Sequence, residues 1–103
     1  MTCYVVNSAV KTYNAALNRP AYQSSVYYDH RGRSYPAHLA NDGNHETNLA
    51  TGGTPRCAHS QLDTNPWWAV DLGRRTTVYG VYFTNRNNTH GKKKYKPIRA
   101  IVC

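Results

Sequence analysis

Residues 65–73, NPWWAVDLG, constrain the fold more than any other segment, because two adjacent tryptophans enter an alternating run that ends on a glycine. In a β-strand, successive side chains face opposite sides of the sheet. The two faces of this strand would carry two sets of residues: Trp67, Ala69 and Asp71, and Trp68, Val70 and Leu72. The pattern therefore predicts a β-strand over this segment.

A second alternating segment, residues 77–85, predicts another strand. Its two faces would carry Val78, Gly80 and Tyr82, and Tyr79, Val81 and Phe83. His59 stands just before the first strand, and Arg86 lies in the turn after the second. We therefore expect the two strands to bring this histidine and this arginine towards one another in a binding site.

Size and composition favour a single all-β domain. The chain has 103 residues and no apolar run long enough to span a membrane. Helix-forming residues are scarce, whereas valine, threonine and the nine tyrosines suit strands. Turn signals recur about every eight to twelve residues, which predicts an antiparallel β-sandwich or jelly roll.

The N-terminal part of the chain is expected to form a lead-in and an opening strand, and the C-terminal part a last strand. Residues 1–13 predict a loosely attached lead-in. Residues 21–25 predict an opening strand, because Pro20 prevents a helix there. Residues 98–103 predict a last strand.

The segments between these strands predict turns and loops. Residues 26–35 indicate a polar loop that turns at Gly32, and residues 36–40 a single helical turn that starts with proline. Residues 41–44, NDGN, suit either a plain Asx turn or a calcium loop, since hard cations bind carboxylate, amide and carbonyl oxygens. Residues 45–56 predict an irregular loop with paired glycines.

The chain is strongly basic, with a formal net charge of +8. Basic domains bind nucleic acid, acidic glycans or anionic membranes, although a short lysine run is also typical of a solvated loop. A polyanion-binding role would use seven cations interleaved with tyrosines: Arg31, Arg33, Lys92, Lys93, Lys94, Lys96 and Arg99.

The three cysteines, Cys3, Cys57 and Cys103, stand far apart in the sequence. None belongs to a CxxC or Cys–His cluster of the kind that binds zinc. Two interpretations remain: one disulfide with a cysteine left over, or a cysteine whose partner lies beyond the chain. No signal peptide is recognisable, because no charged region precedes an apolar one at the N-terminus.

The chain resembles the F-type, fucose-binding lectins, also described as the fucolectin, tachylectin-4 and pentraxin-1 type of domain. Three segments carry the resemblance: residues 14–25 (NAALNRPAYQSS), 38–44 (HLANDGN) and 57–93. The family's sugar motif is a histidine, twenty-six residues, Arg-x-Asp, four residues, and Arg or Lys. His59, Arg86 and Lys93 match this spacing without a gap, and Asn88 stands at the aspartate position.

The resemblance implies a galactose-binding-domain-like jelly roll that binds L-fucose at loops on one end of the sandwich. It implies that three side chains hydrogen-bond the sugar hydroxyls and ring oxygen: His59, Arg86 and Lys93. Charged donors suit this role because their hydrogen bonds are stronger. Asn88 would orient Arg86, while Leu49 and Ala50 would contact the methyl group of the sugar.

The resemblance also implies a bound calcium ion that stabilises the domain. Its expected ligands lie at Leu39, Asp42 and Asn44, near Arg56, and on a late strand that also supplies the usual disulfide partner of Cys57. The chain stops where the family domain continues. We therefore expect a lead-in over residues 1–13 and a C-terminally truncated lectin domain over residues 14–103, with a partial calcium site.

These features predict a carbohydrate-binding module for fucosylated glycans rather than an enzyme. No serine occupies a nucleophile elbow, and the five acidic residues form no evident pair for glycoside hydrolysis. Two alternatives stay open: a basic module that binds sulphated glycan or nucleic acid, and an inert β-sandwich without a site.

The resemblance further implies secretion and a role in innate immunity. A nucleic-acid partner and membrane insertion are not expected of such a lectin. Two arrangements stay open for the chain, namely a homo-oligomer and a part of a larger multidomain protein.

Overall fold

A computed structural model describes residues 2–7, 11–86 and 101–102, with side chains for residues 13–86. The described chain contains short strands and one turn of 3₁₀ helix, Ala37–Ala40, which confirms the all-β prediction. The strands are β1 (Thr2–Asn7), β2 (Lys11–Asn14), β3 (Ala21–Gln23), β4 (Ala50–Thr51), β5 (Thr54–Pro55), β6 (Ala58–His59), β7 (Trp68–Val70), β8 (Gly80–Tyr82) and β9 (Ile101–Val102). No helix in the described segments has the length and apolar character needed to cross a membrane.

The described strands form small antiparallel sheets. β1 lies between β2 and β8, β3 pairs with β7, β4 with β5, and β6 with β9. The two strands that were expected to lead from His59 to Arg86, β7 and β8, therefore pair with different partners and not with each other. Residues 1–13, expected to be a lead-in, contribute β1 and most of β2, and β1 pairs with β8.

The alternation predicted for residues 65–73 is confirmed. β7 pairs with β3, with Tyr22 opposite Ala69. Two further backbone bonds extend this ladder, from the Asp71 N–H to the Pro20 carbonyl at 2.8 Å and from the Ser24 N–H to the Trp67 carbonyl at 3.0 Å. One set of alternating residues is exposed and the other is half-buried: Trp67, Ala69 and Asp71, and Trp68, Val70 and Leu72.

The half-buried face of β7 packs on a core made of small residues. Ala16, Ala40 and Ala58 form the centre of this core, and the side chains of β7 lie against them. The indole Nε1 of Trp68 donates to the Ala37 carbonyl at 2.9 Å, which joins β7 to the 3₁₀ helix. That helix confirms the predicted helical turn, but it begins at Ala37: Pro36, predicted to be its first residue, is its N-cap and has extended backbone angles.

The structure contradicts one sequence expectation about local structure and adds detail to another. Residues 45–56 are not an irregular loop, because β4 and β5 form a hairpin there. Gly52 and Gly53 make its two-residue turn with φ values of +56° and +83°, a conformation that glycine adopts without strain. His59, which was expected just before the first strand of the site, precedes β7 and belongs to a short strand of its own, β6.

β8 is shorter than the strand predicted over residues 77–85, and both of its faces are exposed. Tyr79, Val81 and Phe83 were expected on one face, and they are 62%, 44% and 62% exposed. Tyr82, on the other face, is 63% exposed. The alternation is present in the sequence, but neither face is covered by the described residues.

Asn41 is a buried polar side chain that fixes the loop before β3. Its Nδ2 donates to the Ala16 carbonyl at 2.7 Å and to the Arg19 carbonyl at 2.9 Å. The backbone carbonyl of Asn41 accepts the Asn18 N–H at 2.8 Å. Asn41 therefore ties residues 14–19 to the end of the 3₁₀ helix.

Asn41→Ala is expected to lower the free energy of unfolding by roughly 1–3 kcal/mol, because one buried and one partly buried hydrogen bond are lost. Urea denaturation followed by tryptophan fluorescence measures this change. Asn65→Ala is the matched control, since Asn65 is exposed, and it should change stability by less than about 0.5 kcal/mol. Equal losses in the two variants would contradict the anchoring role.

Candidate functional site

The backbone of His59 is fixed by two other segments. Its N–H donates to the Tyr35 carbonyl at 3.0 Å, and its carbonyl accepts the Tyr27 N–H at 2.8 Å. Gln23 adds Nε2 bonds to the Tyr35 carbonyl at 3.0 Å and the His59 carbonyl at 3.4 Å. Residues from β3, the following loop and β6 therefore meet at this histidine.

The His59 ring lies within an aromatic cluster and is only 1% exposed. It stacks on Tyr27 with ring centroids 4.4 Å apart and meets the edge of Tyr35 at 6.1 Å. Its Nδ1 hydrogen-bonds to the Ser60 carbonyl. Because a carbonyl can only accept, Nδ1 carries a hydrogen in this bond.

Asp29 holds Tyr35 in position within this cluster. Asp29 Oδ2 accepts from the Tyr35 hydroxyl at 3.0 Å and from Arg33 Nε at 2.6 Å. Its Oδ1 accepts the N–H groups of Arg31 and Arg33 at 2.9 and 3.0 Å. Gly32 turns this loop with a φ of +76°, as predicted. Arg33, which the polyanion-binding alternative assigned to the binding surface, is therefore paired with a carboxylate.

These contacts shift the pKa values of Asp29 and Tyr35. Desolvation raises the pKa of Asp29, but the hydrogen bonds from Arg33, Arg31 and Tyr35 together outweigh it and hold that pKa well below its usual range. Burial raises the pKa of the Tyr35 phenol, and its hydrogen bond to Asp29 raises it further. At neutral pH the cluster therefore holds an ionised Asp29 and a protonated Tyr35.

A second carboxylate fixes the loop that follows His59. The hydroxyls of Ser24 and Ser25 both donate to Asp63 Oδ2 at 2.6 Å, and these bonds lower the pKa of Asp63. Ser25 Oγ accepts the Gln61 N–H at 2.9 Å, and Ser24 Oγ accepts the Trp67 N–H at 3.2 Å. Residues 61–67 are thereby attached to the end of β3.

The sequence analysis did not find Asp29, Asp63 or the two serines. A local signal existed for Asp29, which precedes a glycine by three residues as in an Asx-type turn. Asp63 had no such signal, because its partners lie 39 and 38 residues away in the chain.

The structure describes four of the six residues expected at the sugar site. His59 lies in β6, Ala50 begins β4, and the Leu49 carbonyl accepts the Arg56 N–H at 2.9 Å. Arg86 follows β8 and is half-buried. Asn88 and Lys93 lie outside the described residues, and the sugar-binding roles of all six stay predictions.

Residues 41–44 form the tight turn that their sequence indicates. Asp42 Oδ1 accepts the Asn44 N–H at 2.9 Å, and Asn44 Oδ1 accepts the Glu46 N–H at 2.9 Å. Gly43 turns with a φ of +83°. Arg56, expected near the calcium ion, has its Nε 2.9 Å from Glu46 Oε2, an ion pair without the alignment of a hydrogen bond.

This turn fits a hard cation by its chemistry. Asp42 is exposed, and its carboxylate uses Oδ1 within the turn. Within the described segments no group of three or more His, Cys, Asp or Glu side chains could hold a metal ion. A cation here would therefore need carbonyl oxygens, such as that of Leu39, beside the Asp42 carboxylate and Asn44.

Comparison with known proteins identifies the family. A family model described as "NedA-like, galactose-binding domain" matches residues 39–98, more than half of the chain. The chain belongs to this family. The match agrees with the all-β fold and with a binding domain rather than an enzyme. No solved structure shows significant similarity to the chain.

Individual relatives confirm the resemblance to fucolectins. The chain is 35% identical over 80 residues to a fucolectin of Anguilla anguilla, covering 78% of the chain and 49% of that protein. It is 35% identical over 80 residues to fucolectin-4 of Anguilla japonica, covering 78% and 42%. A pentraxin fusion protein of Xenopus laevis is 32% identical over 75 residues, covering 73% of the chain and 16% of that protein. The matched region thus spans less than half the length of each of these relatives.

Asp29→Asn is expected to destabilise the domain at neutral pH and to destabilise it less at pH 3, below the unfolded pKa of the carboxyl group. The native pKa of Asp29 is depressed, so its charge stabilises the fold fully above the unfolded pKa of about 3.9 and progressively less below it. Urea denaturation of both proteins at pH 7 and pH 3 tests this. A gap in stability that is the same at both pH values would contradict the charge-based role.

Proposed function

We propose that the chain is a carbohydrate-binding lectin domain that recognises L-fucose on glycans. The observation that carries the proposal is the spacing of His59, Arg86 and Lys93 in a chain 35% identical to a fucolectin. Fucosylated glycans outside the cell are the proposed partners. The fucolectin relatives support this choice by their name.

The contacts of His59 suit a site for a neutral sugar. Stacking on Tyr27 and the Nδ1 bond to Ser60 fix the ring before any ligand arrives, which lowers the entropy cost of binding. When the His59 ring is neutral with its hydrogen on Nδ1, Nε2 accepts from a sugar hydroxyl, whereas the guanidinium of Arg86 donates to sugar oxygens. Because His59 is 1% exposed, little of its ring surface is available to a ligand.

We propose in addition that calcium binds the turn at residues 41–44. Asp42, Asn44 and the carbonyl of Leu39 would hold the ion, with the backbone near Arg56 on the adjoining loop. Calcium would supply positive charge that holds the carboxylate and carbonyl oxygens of these loops together. The exposed Asp42 carboxylate in a glycine-containing turn supports this proposal.

Arg86→Gln should weaken fucose binding tenfold or more, because one charge-assisted hydrogen bond contributes roughly 1.5–3 kcal/mol. Titration calorimetry with L-fucose measures this. The unmodified domain should bind a single fucose only in the high-micromolar to millimolar range, since association costs at least about 4 kcal/mol in lost freedom.

Arg31→Gln is the matched control, because it removes the same charge from an exposed loop position. It should leave fucose binding unchanged, and raising the salt concentration should have little effect on the unmodified protein. Equal losses in both variants with steep salt dependence would instead indicate a polyanion-binding surface.

Calcium should raise the melting temperature of the protein by several degrees, since a ligand at a hundredfold excess over its Kd stabilises by about 2.7 kcal/mol. Asp42→Asn should abolish this rise, and Asp71→Asn, which alters another exposed carboxylate, should preserve it. Differential scanning fluorimetry with calcium, magnesium and EDTA provides the measurement. An identical rise in the Asp42→Asn protein would place calcium elsewhere.

A further inference from the structure

A cavity of about 360 Å³ lies between the loop before β3 and the segment after β7. Its size falls within the range of about 300–1,000 Å³ that is usual for small-molecule sites. The residues that line it combine two cations, a hydroxyl, an aromatic ring and a small apolar floor: Arg19, Arg74, Thr76, Tyr13, Ala15 and Leu72. None of the residues expected to bind fucose or calcium belongs to this lining.

Arg19 is held in place at both its backbone and its side chain. Its carbonyl accepts from the buried Asn41 at 2.9 Å, and its N–H donates to the Ala16 carbonyl at 3.1 Å. Its Nε donates to the Asp71 carbonyl at 3.2 Å. The guanidinium is therefore oriented before a ligand binds. Its Nε is anchored, and its two Nη atoms carry the remaining N–H donors.

Gly73 provides the space in which this guanidinium lies. A Cβ added at Gly73 would come within 1.4 Å of Arg19 Nη2 and 2.5 Å of Arg19 Cζ. Its φ of +80° also favours glycine. Asp71 Oδ1 accepts the Gly73 N–H at 2.7 Å, which fixes the turn that receives the arginine.

Arg74 brings a second positive charge to the same cavity. The Thr76 hydroxyl donates to the Arg74 carbonyl at 3.0 Å and so closes the turn that carries both residues. No carboxylate side chain is among the lining residues, all of which belong to the described chain. Two arginines therefore line a concave site whose lining contains no carboxylate side chain.

We propose that this cavity binds the oxyanion of an acidic saccharide, a carboxylate or a sulfate carried on a sugar ring. Guanidinium groups match both oxyanions in geometry and charge. Tyr13, whose side chain is 46% exposed, offers an aromatic face against which the sugar ring packs. This second site takes a ligand of different charge from the neutral fucose of the proposed function.

NMR titration of the chain with glucuronate, glucose 6-sulfate, glucose and inorganic sulfate tests the proposal. Both acidic sugars should shift the amide signals of Gly73 and Thr76 at millimolar concentration, and glucose should not. The ratio of the dissociation constants of glucuronate and glucose 6-sulfate shows whether the site prefers a carboxylate or a sulfate. Equal effects of glucose and the acidic sugars would overturn the proposal, and inorganic sulfate binding as tightly as both sugars would overturn the saccharide assignment.

Neighbouring arginines supply a matched pair of variants. Arg74→Gln should weaken binding of the acidic sugars at least fivefold, whereas Arg75→Gln, which removes an equal charge from a residue outside the lining, should change it less than twofold. Equal weakening in both variants would show a diffuse charge effect and overturn the proposal. Fucose binding, where present, should be the same in Arg74→Gln as in the unmodified protein, so the two sites succeed or fail independently.

Discussion

The antiparallel pairing of β3 with β7 is the interaction on which the other described parts of the structure depend. It sets the register that turns Trp68, Val70 and Leu72 towards the alanine core. A one-residue slip would move these side chains to the solvent face and bring Trp67 and Asp71 inwards. The same ladder places Asp71 beside Pro20 and Trp67 beside Ser24. Each of these ends carries a polar assembly: the arginine cavity lies at one, and the Ser24–Ser25–Asp63 network lies at the other.

Because the fully buried apolar residues are mostly small, polar contacts contribute much of the specific order. The buried set of the described chain includes four alanines, together with Asn41, His59 and Ser60. Burying an alanine removes little apolar surface from water, so this core stabilises the fold less than one of leucine or phenylalanine would. Buried polar groups add specificity only when their hydrogen bonds are made. The Tyr35 hydroxyl on Asp29 and the Asn41 Nδ2 on its two carbonyl partners meet that condition, whereas the buried Oδ1 of Asn41 has no hydrogen-bond partner among the described residues.

Local patterns predicted what local physics decides. The alternation at residues 65–73, the turn at Gly32 and the helical turn after Pro36 could all be read from neighbouring residues, and the structure contains them. The hairpin of β4 and β5 also depends on neighbouring residues, since paired glycines suit its turn. The sequence analysis nevertheless missed it, and the positive φ values of the two glycines became evident only in the structure. Burial of His59 among Tyr27 and Tyr35, and the bonds of Asp63 to two serines, join segments far apart in the chain. No single-segment pattern carries such information, and the motif spacing that singled out His59 says nothing of how deeply it lies.

Positive charge serves different purposes in different parts of this basic chain. Arg33 is neutralised by Asp29 within its own loop, where its charge maintains local structure. Arg19 Nε donates to one backbone carbonyl, that of Asp71, which carries no charge to cancel that of the arginine, and Gly73 leaves room for the guanidinium. Net charge does not separate these two cases, because both arginines count equally towards +8. The deciding quantity is the partner: a carboxylate cancels the field of an arginine, whereas a carbonyl orients the guanidinium and leaves the field available to a ligand. A search for anion sites in small basic domains is therefore better directed at arginines fixed by backbone carbonyls than at runs of lysine.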